Sequence, residues 1–229
     1  MLRAVFLFAT VVHAALAVPI DCLPGTLADY IALPADGCQL GPAVFSDFVN
    51  PGVLPGSTEI SPGSIGVNPL FDPLQPGLLF TYGADAAGPT VLQSVVEFLV
   101  SSPSPPGFVF ASLEITGNSV TDPGLALATS ELCFTGFIGG ICTGSSQVLA
   151  AFDIGFDSST FDSRGLAPLS ALAVRHDVVV DGGLSGSASL ATAELRFGRL
   201  NAVPEPATAA LVFATLVATI VSTRRRRRH

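Results

Sequence analysis

The chain has no lysine and no tryptophan, and only 12% of its 229 residues are charged. Ten arginines carry all of the permanent positive charge, and they are unevenly spread. Between Val18 and Val203 only Arg164, Arg175, Arg196 and Arg199 occur, against seventeen carboxylates, a balance of roughly −13. So acidic a stretch repels polyanions, which excludes nucleic acid as a partner. The missing tryptophan, with only Tyr30 and Tyr82 as tyrosines, removes the usual exposed platforms for sugar rings. Helical patterning with Lys, Glu and Gln is also lacking, while Gly and Pro together make up 41 residues and 49% of the chain is hydrophobic. That composition excludes disorder of the whole chain and a helical bundle, and it predicts short strands joined by turns.

The two ends differ from the middle. The N-terminal MLRAVFLFATVVHAALAVP has Arg3 as a small basic region and Ala4–Val12 as a short apolar core. Ala15-Leu16-Ala17 follows as a small-x-small site. This is a secretory signal helix, too short to span a bilayer comfortably, that signal peptidase removes to leave Val18 as the new N-terminus.

At the C-terminus, Val203-Pro204-Glu205-Pro206 leads into an uncharged run, residues 207–223, and then into Arg224, Arg225, Arg226, Arg227 and Arg228. As a helix the run would reach about 26 Å, close to the hydrocarbon thickness of a membrane. The prolines lie before it, where a missing N–H costs least. The arginines act as a cytoplasmic stop and can pair with anionic lipid at about 1 kcal/mol each. Thr215, Thr219 and Thr223 lie beside a ridge of Ala210, Ala214 and Ala218, small residues at a spacing that permits close approach of another helix.

The order of motif, apolar run and terminal arginines resembles the PEP-CTERM sorting signal of exported bacterial proteins. The resemblance implies recognition by an exosortase, a membrane-embedded cysteine transpeptidase that cuts near the motif during sorting to the cell surface. Pro204, Glu205 and Pro206 would be read by that enzyme. The apolar helix would present them, and the arginines would set topology. The absence of glycine from the helix departs from many members. The implied domains are a signal peptide (1–17), an exported domain (18–202) and the sorting signal (203–229, with motif 203–206, transmembrane helix 207–223 and basic tail 224–229).

Within the exported region, Cys22, Cys38, Cys133 and Cys142 are the only cysteines. An even count in an exported chain predicts two disulfides, and four cysteines allow three connectivities. Cys22–Cys38 with Cys133–Cys142 is favoured because local pairs close small loops. Zinc is excluded, since no cysteine pair has the ligand gap and His176 is the only histidine of the region.

Period-two alternation marks the strands. VLQSVVEFLV sets Leu92, Val96, Phe98 and Val100 against Gln93 and Glu97. FVFASLEIT sets Val109, Ala111, Leu113 and Ile115 against Ser112 and Glu114, and SSPSPPG joins the two as an expected antiparallel pair. QVLAAFDIGF places Val148, Ala150, Phe152, Ile154 and Phe156 on one face. ALAVRHDVVVD sets Leu172, Val174, Val178 and Val180 against Arg175, Asp177 and Asp181. Gly182-Gly183 ends that strand, and SLATAELRF returns with Ala193, Leu195 and Phe197 inward. LLFTY and ATSELCF add two more. The predicted fold is all-β, an antiparallel β-sandwich of about seven to nine strands, with the signal helix before it and the transmembrane helix after it. TLADYIALPADGCQLGPAVFSDF, ASLEITG and VRHDVVVDGGLSGSASL are similar to segments of an uncharacterised β-rich group of PEP-CTERM proteins, which implies one exported β domain and no chemistry.

Catalytic and metal signals are weak. A Ser-His-Asp triad would have to use His176, which lies mid-strand on the face of Val174 and Val178, and no G-x-S-x-G is present. Asp153, Asp157, Asp162 and Asp181 lack the loop order of a calcium site. Glu97 and Glu114 would face each other across the expected hairpin, the one arrangement that suggests a glycosidase pair. Pro51–Pro76 is expected to form a long loop. No cofactor and no metal is expected. The leading expectation is a non-enzymatic exported envelope or matrix protein. Its partners are the two processing enzymes, the membrane and, through the PEP-CTERM association, exopolysaccharide. A carbohydrate-binding module and a secreted hydrolase are the alternatives.

Overall fold

Apolar side chains at alternate positions need a second layer to cover them, and two sheets supply each other's cover. The computed structural model describes residues 19–199 apart from Ser104 and Pro106. Ala15, Ala17, Val18, the Val203–Pro206 motif, residues 207–223 and Arg224–Arg228 lie outside the described residues. In chain order the elements begin with β1 (Ile20–Asp21), β2 (Gly25–Thr26), helix α1 (Leu27–Ile31), β3 (Cys38–Leu40), β4 (Ala43–Val49) and β5 (Thr58–Glu59). Next come β6 (Gly66–Leu70), β7 (Gly77–Ala87), β8 (Val91–Ser101), β9 (Phe108–Thr116), β10 (Ser119–Thr121) and β11 (Leu125–Cys133). The last are β12 (Phe137–Ile138), β13 (Ile141–Cys142), β14 (Ser146–Asp153), β15 (Ser158–Ser159), β16 (Phe161–Leu169), β17 (Ala171–Asp181) and β18 (Ser187–Arg199).

The chain is all-β. Sheet one has nine strands in the order β1-β3-β4-β8-β17-β11-β14-β15, with β5 beside β8, and sheet two has seven in the order β16-β9-β18-β7-β6-β2, with β10 beside β18. Pairing is antiparallel except for β1 with β3 and β5 with β8. The count exceeds the expected seven to nine, because strands of two or three residues are too short to show a period. Inner faces of both sheets merge in one core, where Phe45 of β4 meets Phe197 of β18 at 6.0 Å and Phe80 of β7 stacks on His176 of β17 at 5.0 Å. Burying a side chain such as Phe197 contributes roughly 1.5–3 kcal/mol. Helix α1 has five residues and a capping box, in which Asp29 N–H donates to Thr26 Oγ1 and Thr26 N–H to Asp29 Oδ2.

The inward positions of β17 and β18 are those the alternation predicts. Both disulfides are the local pairs, Cys22–Cys38 and Cys133–Cys142. Several expectations are corrected. First, β8 and β9 are not a hairpin: β8 pairs with β17 and β4 in sheet one, and β9 with β16 and β18 in sheet two. Their proline-rich connection lacks donors for a ladder and crosses between the sheets. It ends at Gly107 with φ 77°, where a Cβ would meet Leu169 O. Likewise β18 does not pair with β17. Second, β14 buries Leu149 and Ala151 rather than Val148, Ala150 and Phe152. Its register against β11 aligns Leu149 with the inward Ser130 and Ala151 with Ala128, and Val148 is left exposed. Third, a bulge at Val109 puts Phe108, not Val109, inward.

The stretch from Pro51 to Pro76 is not one loop. It contributes β5 and β6, and Leu54 N–H donates to Gln93 Oε1 at 3.0 Å. Gln93 is therefore buried under this stretch although it lies on the outer face.

Candidate functional site

Outward positions of β16, β9 and β18 line up in rows, because neighbouring antiparallel strands hold their residues opposite one another. One row is Phe161, Glu114 and Glu194. The next is Ser163, Ser112 and Arg196, and the third is Gly165, Phe110 and Gly198. All of these residues except Gly198, with Gln75 and Arg164, line a cleft of about 400 Å³ on the outer face of sheet two.

The rows have distinct chemistry. Glu114 and Glu194 are like charges placed directly opposite, an arrangement that costs stability by itself. Arg196 offsets it by pairing its Nε with Glu194 Oε1, and its Nη1 also donates to Gln75 O. Arg164 pairs with Asp162, 2.8 Å away. Phe161 stands 54% exposed at the outer end of the carboxylate row. In the third row, a Cβ on Gly198 would fall 1.7 Å from Phe110 Cε1, so the ring occupies the space that glycine leaves free. A Cβ on Gly165, on the other side of Phe110, would meet nothing within 4 Å. The cleft thus presents two phenyl rings with carboxylate, guanidinium and hydroxyl groups between them.

The residues singled out by sequence fall elsewhere, apart from Glu114. Glu97 lies on the outer face of sheet one, 3.5 Å from Arg175, so Glu97 and Glu114 occupy opposite outer faces and form no pair. His176 is fully buried between Val174 and Val178, with Nδ1 2.9 Å from Ser130 Oγ. Burial pushes its imidazole down from 6.5 to about 4. Asp177, next in the chain, points to the other face, where Gln93 Nε2 donates to both its oxygens at 3.0 and 3.1 Å. Among the described residues, no carboxylate completes a triad with Ser130 and His176. Asp153, Asp162 and Asp181 each accept local hydrogen bonds, from Gly155 and Asn118, from Ser163 and Ala150, and from Gly183. Among the described residues, no three His, Cys, Asp or Glu side chains gather as metal ligands.

Tyr30 and Tyr82 are both buried, so neither is a surface platform. Glu194 and Arg196 were legible as the polar positions between Ala193, Leu195 and Phe197. Phe110 carried a signal too, an aromatic residue on the same parity as Ser112 and Glu114. Phe161 had none, since the β16 sequence FDSRGLAPL does not alternate.

No family model and no curated protein matches the chain. Several solved structures are distantly similar. The enzymatically active domain of tailspike protein 4 from bacteriophage CBA120 is 9% identical with a TM-score of 0.26, over 68% of this chain and 19% of that one. TmCBM61 in complex with beta-1,4-galactotriose is 10% identical with a TM-score of 0.24, over 52% and 69%. The glycosylation-associated protein Gap123 complex from Streptococcus agalactiae is 13% identical with a TM-score of 0.28, over 72% and 27%. The chain spans about a fifth of the length of the tailspike domain. Likenesses of this extent assign neither activity nor ligand.

Proposed function

We propose that this is an exported protein whose sandwich binds a neutral polysaccharide without cleaving it, and that a PEP-CTERM signal delivers it to the cell envelope. The observation that carries the binding reading is the cleft over β16, β9 and β18. A pyranose ring needs a flat apolar surface for its C–H face and charged or hydroxyl partners for its hydroxyls. Phe161 and Phe110 supply the first, and Glu114, Glu194, Arg196, Ser112 and Ser163 supply the second. Two carboxylates and two guanidinium groups line the cleft, which suits an uncharged chain. Glu194 is engaged by Arg196, so the pair of free carboxylates used in glycoside hydrolysis is lacking at this place.

Export is supported by the two disulfides, which persist in oxidising compartments. No helix among the described residues is long and apolar enough to cross a membrane, so the anchor in this reading is the run 207–223. Affinity electrophoresis of the full chain through gels containing neutral or acidic polysaccharides tests the binding. Retardation is expected in a neutral gel, and Phe161→Ala or Glu114→Gln should weaken it about tenfold without lowering Tm. Equal retardation of these variants, or none for any neutral polymer, sinks the reading.

A further inference from the structure

Strand register identifies the end of the sandwich from which the chain leaves. β18 finishes at Arg199, opposite Phe108. Gly77 opposite Arg196 and Leu70 opposite Gly77 place the 71–76 connection at this end of sheet two. Leu40 opposite Ala43 and Val44 opposite Ser101 place the Gly41-Pro42 turn at the same end of sheet one. The two turns meet, since Leu40, Gly41, Phe71, Asp72 and Pro73 line one hollow of about 190 Å³. Backbone bonds fasten the 71–76 connection to the exit strand: Arg199 N–H donates to Leu74 O and Phe197 N–H to Pro76 O, both at 2.9 Å.

This end bares several large apolar side chains. Phe71 is 74% exposed and Leu74 40%. Leu23, 69% exposed, follows Cys22, whose N–H bonds Gln39 O just past the β1–β3 pairing, so it sits level with the Gly41 turn. The one carboxylate of the 71–76 connection, Asp72, accepts the N–H groups of Leu74 and Gln75. The opposite end also bares Phe156 and Leu184, but among Asp122, Asp157 and Asp181, which an anionic surface repels.

We propose that the exit end, with Phe71 and Leu74 at its tip, rests in the headgroup region of the bilayer while the C-terminal run is inserted. The inference relies on that run being an anchor, as proposed above. Leu200–Pro206, seven residues, separates Arg199 from the run. Even fully extended they reach about 25 Å, so this end stays within a short tether of the membrane. A tether raises the local concentration of the surface far enough for a small apolar tip to bind that would not bind alone. The site would hold the sandwich upright, with its acidic end facing away from the membrane.

A chain without tryptophan allows a direct test. Single-tryptophan variants of the full chain, Phe71→Trp, Leu184→Trp and Phe213→Trp, are reconstituted in phosphatidylethanolamine–phosphatidylglycerol vesicles that contain brominated lipid. Phe71 and Leu184 are exposed, so neither change disturbs packing. Lipids brominated near the headgroup should quench Phe71→Trp at least twofold and leave Leu184→Trp unaffected, and deep bromines should quench Phe213→Trp. Quenching of Phe213→Trp without Phe71→Trp overturns the surface contact and leaves the anchor standing. An unquenched Phe213→Trp overturns the anchor and the inference with it. A blue-shifted but unquenched Phe71→Trp means that protein, not lipid, covers the tip, and equal quenching of Leu184→Trp means no preferred end; both overturn it.

Discussion

His176 Nδ1 and Ser130 Oγ lie 2.9 Å apart inside the core, each on the inner face of sheet one and neither reached by solvent. Ser130→Ala strands a buried ring nitrogen and should cost about 1–3 kcal/mol, whereas Ser130→Ala with His176→Leu removes both partners and should recover most of it. Urea unfolding of both variants at pH 7 checks this. A double variant no more stable than Ser130→Ala contradicts it.

The same pair predicts a pH dependence. The unfolded imidazole takes up a proton near 6.5 and the buried one only near 4, so the unfolded state binds more protons between these values. Stability should therefore fall as pH drops from 6.5 to 4, by about 3 kcal/mol, and level off below. Asp177, whose carboxyl is raised by burial, works in the opposite direction, so the difference between wild type and His176→Leu isolates the histidine. Parallel unfolding curves across that range would rule the effect out.

The disulfides should contribute unequally. Cys22–Cys38 closes a separation of 16 residues and Cys133–Cys142 one of 9, which the chain-entropy account converts to about 3 and about 2.5 kcal/mol. Replacing Cys133 and Cys142 by serine leaves the β12–β13 hairpin tied to sheet one through the Arg175 Nη1 bond to Gly140 O. Hydrogen exchange should accelerate within residues 134–145 and stay slow in β11 and β17. Global acceleration would show that the hairpin matters to the whole sandwich.

Gly198→Ala tests the floor of the cleft. Its methyl would displace the Phe110 ring, at a cost of roughly 1–3 kcal/mol. Phe110→Ala in the same chain should relieve the overlap, and neither variant should bind polysaccharide normally. Unchanged stability and binding for Gly198→Ala would place the ring elsewhere.

Processing gives the last prediction. Mass spectrometry of the exported protein should find a C-terminus near Pro206, and replacing Pro204-Glu205-Pro206 with alanines should leave the uncut form in the membrane. An intact Arg224–His229 tail on the mature surface protein contradicts the sorting reading.

Strand content was legible wherever alternation ran for several residues, as in ALAVRHDVVVD, because a sheet buried on one face demands it. Partnership between strands was not. Val91–Val100 and Phe108–Thr116 look like a hairpin by pattern alone, and only the crossing between sheets puts Glu97 and Glu114 on opposite faces. Face assignment fails at β14, where bulk misleads: Phe152 and Val148 are larger than the inward Ala151, yet register with β11 decides. The cleft was half visible. Glu114 was read as an outward residue, but its partner Glu194 comes from eighty residues away in sequence, a juxtaposition no local pattern carries.

β18 stands between β9 and β7 at the centre of sheet two, and it is the last strand among the described residues. A chain that emerges N-terminus first cannot join those two strands until residues 187–199 arrive. Contacts this distant in sequence form slowly, and the half-built sheet leaves two open edges meanwhile. In the export proposed above, completion of the core and completion of translocation become nearly the same event, and the fold closes next to the proposed sorting segment.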